Sequence, residues 1–253
     1  MTERRGAHHE LAFGLHAVSR LLARAPERVR GITTLTGRSD RRLLELLARA
    51  DELGLPVERV SRSALDRLAG GGAHQGIVAS FHAREPLPEG ALVELLGGAA
   101  GDPLLLILDG VQDPHNLGAC LRTADATGVT AVVVPRDRAV GLNATVRKVA
   151  CGAAETVPLV QVTNLARTLR SLKEQGVWLV GTADEAEESI FEADLGGPLA
   201  LVLGSEGRGL RRLTREHCDR LVALPMRGEV ESLNVSVAAG VCLYFALARR
   251  ESA

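Results

Sequence analysis

Apolar residues recur along this chain in two rhythms. Spacings of three and four residues mark helical faces, and short unbroken runs mark strands buried on both sides. Residues 17–25 predict a helix with Val18, Leu21 and Leu22 turned inward, and 29–35 predict a strand. Residues 40–53 predict a longer helix with Leu43, Leu44, Leu46 and Leu47 on its apolar side, Asp40 as its N-cap and Gly54 as its stop. A short strand at 57–60, a short helix at 63–68 and a strand at 77–82 complete a small α/β/α domain.

The remainder is more regular. Apolar runs at 104–108, 131–134, 157–160, 177–180, 199–203 and 221–224 predict strands, and helical patterns at 117–127, 144–154, 165–175 and 213–218 fall between most of them. A last helix is expected at 235–250. Continuous apolar strands alternating with helices indicate an α/β fold with a mostly parallel sheet covered on both faces. In such sheets ligands sit beyond the carboxyl ends of the strands, so chemistry-bearing residues are expected just after them.

Charge divides the chain in the same place as pattern does. Residues 1–84 carry 14 arginines and 9 carboxylates, a balance of +5, in a chain whose net charge is −1. EPLPEG at 85–90 holds two prolines and a glycine, which suit a connection. The expected organisation is a domain at 1–84, a linker at 85–102 and a second domain at 103–253. With 46% hydrophobic residues over 253 positions, the composition is that of a globular protein and excludes disorder over most of the length. The longest apolar stretch, 232–248, begins with Ser232 and Asn234 and is too short and polar to span a membrane. MTERRGAHHE has no apolar core region, so a cytoplasmic protein is expected. Cys120, Cys151, Cys218 and Cys242 are scattered without C-x-x-C spacing and read as reduced thiols rather than as disulfides or zinc ligands. Aromatics are few, which argues against a single-strand binding surface built on stacking.

Three constellations follow three of the predicted strands. The first, 108–125, passes from a strand through DGVQDPHN into a helix beginning near Asn116 and carrying Arg122. Six residues on a helix are about 240° apart after one full turn, so both would not share a face in mid-helix, and Asn116 reads as an N-cap. The second, 203–210, sets Glu206 among three glycines, for either a tight turn or close approach of a ligand. It lacks the spacing of a dinucleotide fingerprint and the lysine of a phosphate-cradling loop. The third, 224–238, places Ser232 and Asn234 at the start of the last helix.

These segments, in this order, resemble the three signature motifs of the SpoU (TrmH-type) RNA 2′-O-methyltransferases of the SPOUT superfamily. The resemblance covers nearly the whole chain. GLHAVSRLL at 14–22, AHQGIVA at 73–79, LNATVRKVACGAAETVPL at 142–159 and RRLTREHCD at 211–219 look like the branch that methylates a guanosine ribose of 23S rRNA. It implies a C-terminal α/β domain with a deep trefoil knot, although knots are otherwise rare, and a small N-terminal L30e-like domain that binds RNA. It implies S-adenosyl-L-methionine as methyl donor, held largely by backbone groups around Gly204, Leu224 and Leu233 with Met226 nearby. It implies a homodimer packed through the knotted domain, with no metal and no membrane.

The same resemblance assigns Asn116, Arg122, Glu206, Ser232 and Asn234 to the reacting centre. A ribose hydroxyl is a poor nucleophile until its proton leaves. Because a guanidinium hardly deprotonates in proteins, Arg122 is expected to act as a cation that holds the 3′ phosphate and stabilises the developing alkoxide. Action on tRNA or on another rRNA nucleoside, including antibiotic-resistance methylation, is the alternative within this fold.

Overall fold

Strand order and burial together explain why the sequence alternates as it does. The computed structural model describes residues 9–251. The chain divides into two compact units, the division falling after Glu85.

The first unit runs β1 (His9–Phe13), α1 (Leu15–Arg24), a single 3-10 turn (Pro26–Arg28), β2 (Val29–Leu35), α2 (Arg41–Glu52), β3 (Val57–Val60), α3 (Arg62–Ala69) and β4 (Ile77–His82). Its sheet has the order β1-β4-β2-β3, with β4 antiparallel to both β1 and β2, and β3 parallel to β2. Val18, Leu22, Leu43, Ile32, Ile77 and Phe81 form one cluster, so α1 and α2 share a face of the sheet. The expected caps hold: Asp40 Oδ1 accepts the Leu43 N–H at 3.3 Å, and Gly54 takes the left-handed backbone. Strand β1 was not expected. Leu11, Ala12 and Phe13 are only half-buried, and the strand is fixed by pairing with β4 rather than by an apolar pattern.

The second unit runs β5 (Leu87–Pro88), α4 (Ala91–Gly97), β6 (Leu104–Asp109), α5 (Pro114–Ala126), β7 (Ala131–Pro135), α6 (Ala144–Ala150), α7 (Ala153–Thr156), β8 (Leu159–Val162), α8 (Leu165–Glu174), β9 (Trp178–Thr182), β10 (Leu199–Gly204), α9 (Arg212–His217), β11 (Arg220–Val222) and α10 (Val235–Glu251). All its sheet pairings are parallel, in the order β11-β9-β10-β6-β7-β8-β5. Side chains alternate between two cores. Leu104, Leu106 and Leu108 of β6 meet α5, α6 and α10, whereas Leu105 and Ile107 meet α4 and α8. Gly118 brings α5 against α6: a Cβ there would lie 2.7 Å from Val149 Cβ. No helix among the described residues is long and apolar enough to cross a membrane.

Several boundaries differ from expectation. Residues 85–102, expected as linker, contain β5, which extends the second sheet through Leu87 beside Val160, and α4, which buries Leu92. The helix expected at 144–154 breaks into α6 and α7 because Cys151 (φ 51°) and Gly152 (φ 94°) are both left-handed. The strand expected from 157 starts at Leu159, since Pro158 has no N–H for the ladder. The last strand is Arg220–Val222 rather than 221–224.

Candidate active site

Strands β6 and β10 are neighbours, and their last residues, Asp109 and Gly204, stand in register. From β6 the chain proceeds outward to β7 and β8, then returns to the other side of β6 through β9 and β10. The sheet order therefore reverses at the β6–β10 pair, where the loops leaving its carboxyl ends open a crevice.

The loop after β10 closes on itself. Ser205 and Gly209 exchange backbone hydrogen bonds of 3.2 and 3.0 Å, and Gly207 and Gly209 have φ of 73° and 61°. A Cβ on Gly204 would stand 2.0 Å from the Gly209 carbonyl carbon. Of the two explanations open for these glycines, the tight turn accounts for Gly204. The base of the loop is pinned to β6: Asp109, buried, accepts from Arg211 N at 2.9 Å and from Arg211 Nε at 2.5 Å.

That pinning carries Glu206 to Asn116 and Asn234. Asn116 Nδ2 donates to Glu206 Oε1 at 2.9 Å. Asn234 Nδ2 donates to the same oxygen at 2.5 Å and to Asn116 Oδ1 at 3.0 Å. Three residues from three separated segments thus form a closed amide–carboxylate triangle. Asn116 is not the cap of α5. Asp113 holds that position, accepting from His115 N at 2.8 Å, with Pro114 following it, so Asn116 lies within the first turn and is buried.

Arg122 sits further along α5, exposed, and stands apart from this triangle. Its Nη1 lies 3.8 Å from Cys151 Sγ at the left-handed turn between α6 and α7. No carboxylate pairs with it among the described residues.

Beside the triangle lies a cleft of about 320 Å³, between the end of β9, the 204–210 loop and the segment leading into α10. Gly204, Leu224, Met226 and Leu233 line it, as do Glu206 and Ser232. Its lining thus combines apolar side chains and loop backbone with the carboxylates of Asp184, Glu185 and Glu231 and the guanidinium groups of Arg208 and Arg215.

Comparison with known proteins identifies this architecture. The model of the SpoU rRNA methylase family matches residues 103–244. This chain belongs to the SpoU rRNA methylase family. A second model, RNA 2′-O ribose methyltransferase substrate binding, matches residues 11–87. The 23S rRNA (guanosine-2′-O-)-methyltransferase RlmB of Escherichia coli (strain K12) is 54% identical over 95% of this chain and 99% of its own length. The protein of the same name from Shewanella oneidensis is 57% identical over 96% and 98%. Among solved structures, an RNA 2′-O ribose methyltransferase aligns with a TM-score of 0.76 at 27% identity, covering 97% of this chain and 90% of that one. The SpoU methyltransferase AviRb of Streptomyces viridochromogenes, in complex with AdoMet, shares the fold with a TM-score of 0.78 at 23% identity, covering 99% and 96%.

In this SpoU chain the structure brings together Asn116, Glu206 and Asn234, puts Ser232 and the four expected cofactor residues on the cleft, and leaves Arg122 outside both groups. Sequence reasoning missed Asp109, Arg211 and Asp184. Asp109 had a signal, a carboxylate closing an otherwise apolar strand, whose partner lies 102 residues on. Asp184 also lines the cleft, just beyond β9. Burial pushes the thiols of Cys120, Cys218 and Cys242 up to about 12, so none of these is a thiolate nucleophile at neutral pH. No cluster of His, Cys, Asp or Glu suited to a metal ion occurs among the described residues.

Proposed function

We propose that this protein transfers a methyl group from S-adenosylmethionine to the ribose 2′ oxygen of a guanosine in 23S rRNA. The convergence of Asn116, Glu206 and Asn234 beside the cleft carries the reading. The identity to RlmB proteins over nearly the full length of both chains supports the nucleoside and the RNA.

The cleft suits the methyl donor. Leu224 and Leu233 offer apolar surface to a flat base, loop backbone offers hydrogen bonds, and the carboxylates of Asp184 and Glu206 suit ribose hydroxyls and a sulfonium charge. When bound, S-adenosylmethionine supplies an electrophilic methyl group on a leaving group that departs neutral. The protein's task is then to position the 2′ hydroxyl and manage its proton. Glu206 Oε1 is occupied by two amide N–H donors, which leaves Oε2 to accept from a hydroxyl in the cleft. Arg122, a cation without a carboxylate partner among the described residues, holds the adjoining phosphate and stabilises charge developing on oxygen.

The reading extends to the whole molecule. The segment 1–84 is the RNA-binding domain, and its +5 balance supports phosphate contact. The second unit carries the trefoil knot at the 204–210 and 224–233 segments. It pairs with a second copy through α10, where Val237 and Tyr244, one heptad apart, remain exposed. The enzyme works in the cytoplasm, where rRNA is found. The test is methyl transfer to a 23S rRNA transcript, followed by mapping of the modified nucleoside. A methylated base, or a methylated ribose only in tRNA, would replace this reading.

A further inference from the structure

Ser236 belongs to none of the residues assigned above. As the second residue of α10 it has a bland explanation, a small polar side chain in a first helical turn. Its contacts are more specific than that. Ser236 N donates to Asn234 Oδ1 at 3.0 Å, and Ser236 Oγ donates to the same oxygen at 2.6 Å.

A side-chain amide has one oxygen with two acceptor sites and one nitrogen with two N–H donors. Asn234 uses all four. Its oxygen takes both Ser236 donors, and its nitrogen gives to Glu206 Oε1 and Asn116 Oδ1. Turning the amide over would set its nitrogen against the Ser236 N–H and its oxygen against a carboxylate. Both contacts would be repulsive. The orientation of Asn234 is thus held from both sides, by the two Ser236 donors on the helix side and by the Glu206 carboxylate on the cleft side.

We propose that Ser236 is a positioning residue for methyl transfer, acting through Asn234. Its hydroxyl locks the amide so that the Asn234 nitrogen fixes Glu206 Oε1, keeping the other carboxylate oxygen free for the substrate hydroxyl. The proposal rests on the methyltransferase reading and adds a residue to it. The backbone N–H of Ser236 still donates to the capping oxygen of Asn234 whatever the side chain, so the hydroxyl can be removed without removing the cap.

The experiment compares Ser236→Ala and Ser236→Thr with the unaltered protein, alone and combined with Asn234→Ala, by steady-state methyl transfer to 23S rRNA. Ser236→Ala should lower kcat by about three- to tenfold, the scale of one lost hydrogen bond, with KM for RNA and affinity for S-adenosylmethionine changed less than twofold. Ser236→Thr, which keeps a hydroxyl, should restore most of the rate. In the Asn234→Ala background Ser236→Ala should have no further effect, because its only route to the site is gone. A second readout needs no turnover. The Asn234 side-chain amide protons should exchange with solvent faster in Ser236→Ala than in the unaltered protein, followed by nitrogen-edited NMR. Unchanged kcat in Ser236→Ala, a loss that simply adds to that of Asn234→Ala, or unchanged amide exchange would each overturn the proposal. If the unaltered protein methylates no RNA, the functional reading fails, and the exchange measurement still judges the Ser236–Asn234 lock.

Discussion

Asn234 Nδ2 lies 2.5 Å from Glu206 Oε1, and the oxygen of the same amide caps the helix that follows. One side chain therefore serves both the stability of α10 and the geometry of the site, and substitutions separate the two. Asn234→Asp keeps a capping oxygen but sets a carboxylate against Glu206. Asn234→Ala removes both cap and donor, at a cost in stability of about 1 kcal/mol. Methyl transfer should fall by about two orders of magnitude or more in both. Thermal melts should show the Asp variant regaining stability as pH falls and the facing carboxylates share a proton. The Ala variant should show no such recovery.

Arg122 makes a sharper case for role against place. Its guanidinium rests near Cys151 Sγ, outside the triangle, so Arg122→Ala should leave folding and affinity for S-adenosylmethionine within a few-fold while removing most of the methyl transfer. Arg122→Lys divides charge from fork geometry. Retained rate in the Lys variant would mean that charge suffices, and loss would mean that two-pronged phosphate contact is required. Activity near the unaltered level in Arg122→Ala would remove the residue from the site.

Gly204 tests whether the loop or a ligand requires the glycine. A Cβ there meets the Gly209 backbone, which cannot move aside as a flexible side chain would. Gly204→Ala should reopen the Ser205–Gly209 closure and weaken S-adenosylmethionine binding more than tenfold by calorimetry. Gly207→Ala meets nothing within 4 Å and bears only the strain of φ 73°, about 1 kcal/mol. Its binding loss should be correspondingly smaller.

What the residue pattern conveys here follows from the range of each interaction. β2, β3 and β4 match the bounds expected from the residue pattern, β2 and β4 through their buried positions and β3, largely exposed, through the turn residues that flank it. β1 and β5 escaped because pairing partners 65 or more residues away define them, not their own hydropathy. The site divides in the same way. Asn116, Glu206 and Asn234 are ordinary cap and turn residues when each is seen alone, and the register of β6 with β10 and the packing of α10 on α5 join them. The split of α6 from α7 was not legible, because nothing local announces a left-handed cysteine.

The three buried thiols predict alkaline sensitivity. Their folded-state values of about 12 stand above the ordinary 9.0. Between these limits the unfolded chain loses protons that the folded chain keeps, so stability falls as pH rises from about 9 to 12 and is unaffected by these groups below. Each thiol contributes a slope of roughly 1.4 kcal/mol per pH unit at most, least for the more accessible Cys218. Denaturant midpoints between pH 8 and 10.5 should decline, and Cys242→Ala should flatten that decline while lowering the midpoint at pH 8 through lost packing.

The last prediction concerns where the first domain can be removed. The pattern of prolines and charge suggested a cut near Asp102. Strand β5 and helix α4, however, belong to the second unit, with Leu92 in its core. A chain starting at Pro86 should therefore fold and bind S-adenosylmethionine like the full protein, whereas one starting at Asp102 loses an edge strand and uncovers one face of the sheet. The second should melt several degrees lower. Neither retains the segment of +5 balance. Affinity for 23S rRNA should drop in both, and the remaining binding should depend less steeply on salt, because fewer phosphates are neutralised. Aromatics are scarce, so shape and arginine contacts are expected to carry recognition, and the salt slope measures the latter directly. Full methylation efficiency on the same guanosine by the chain starting at Pro86 would show that residues 1–84 do not select the substrate.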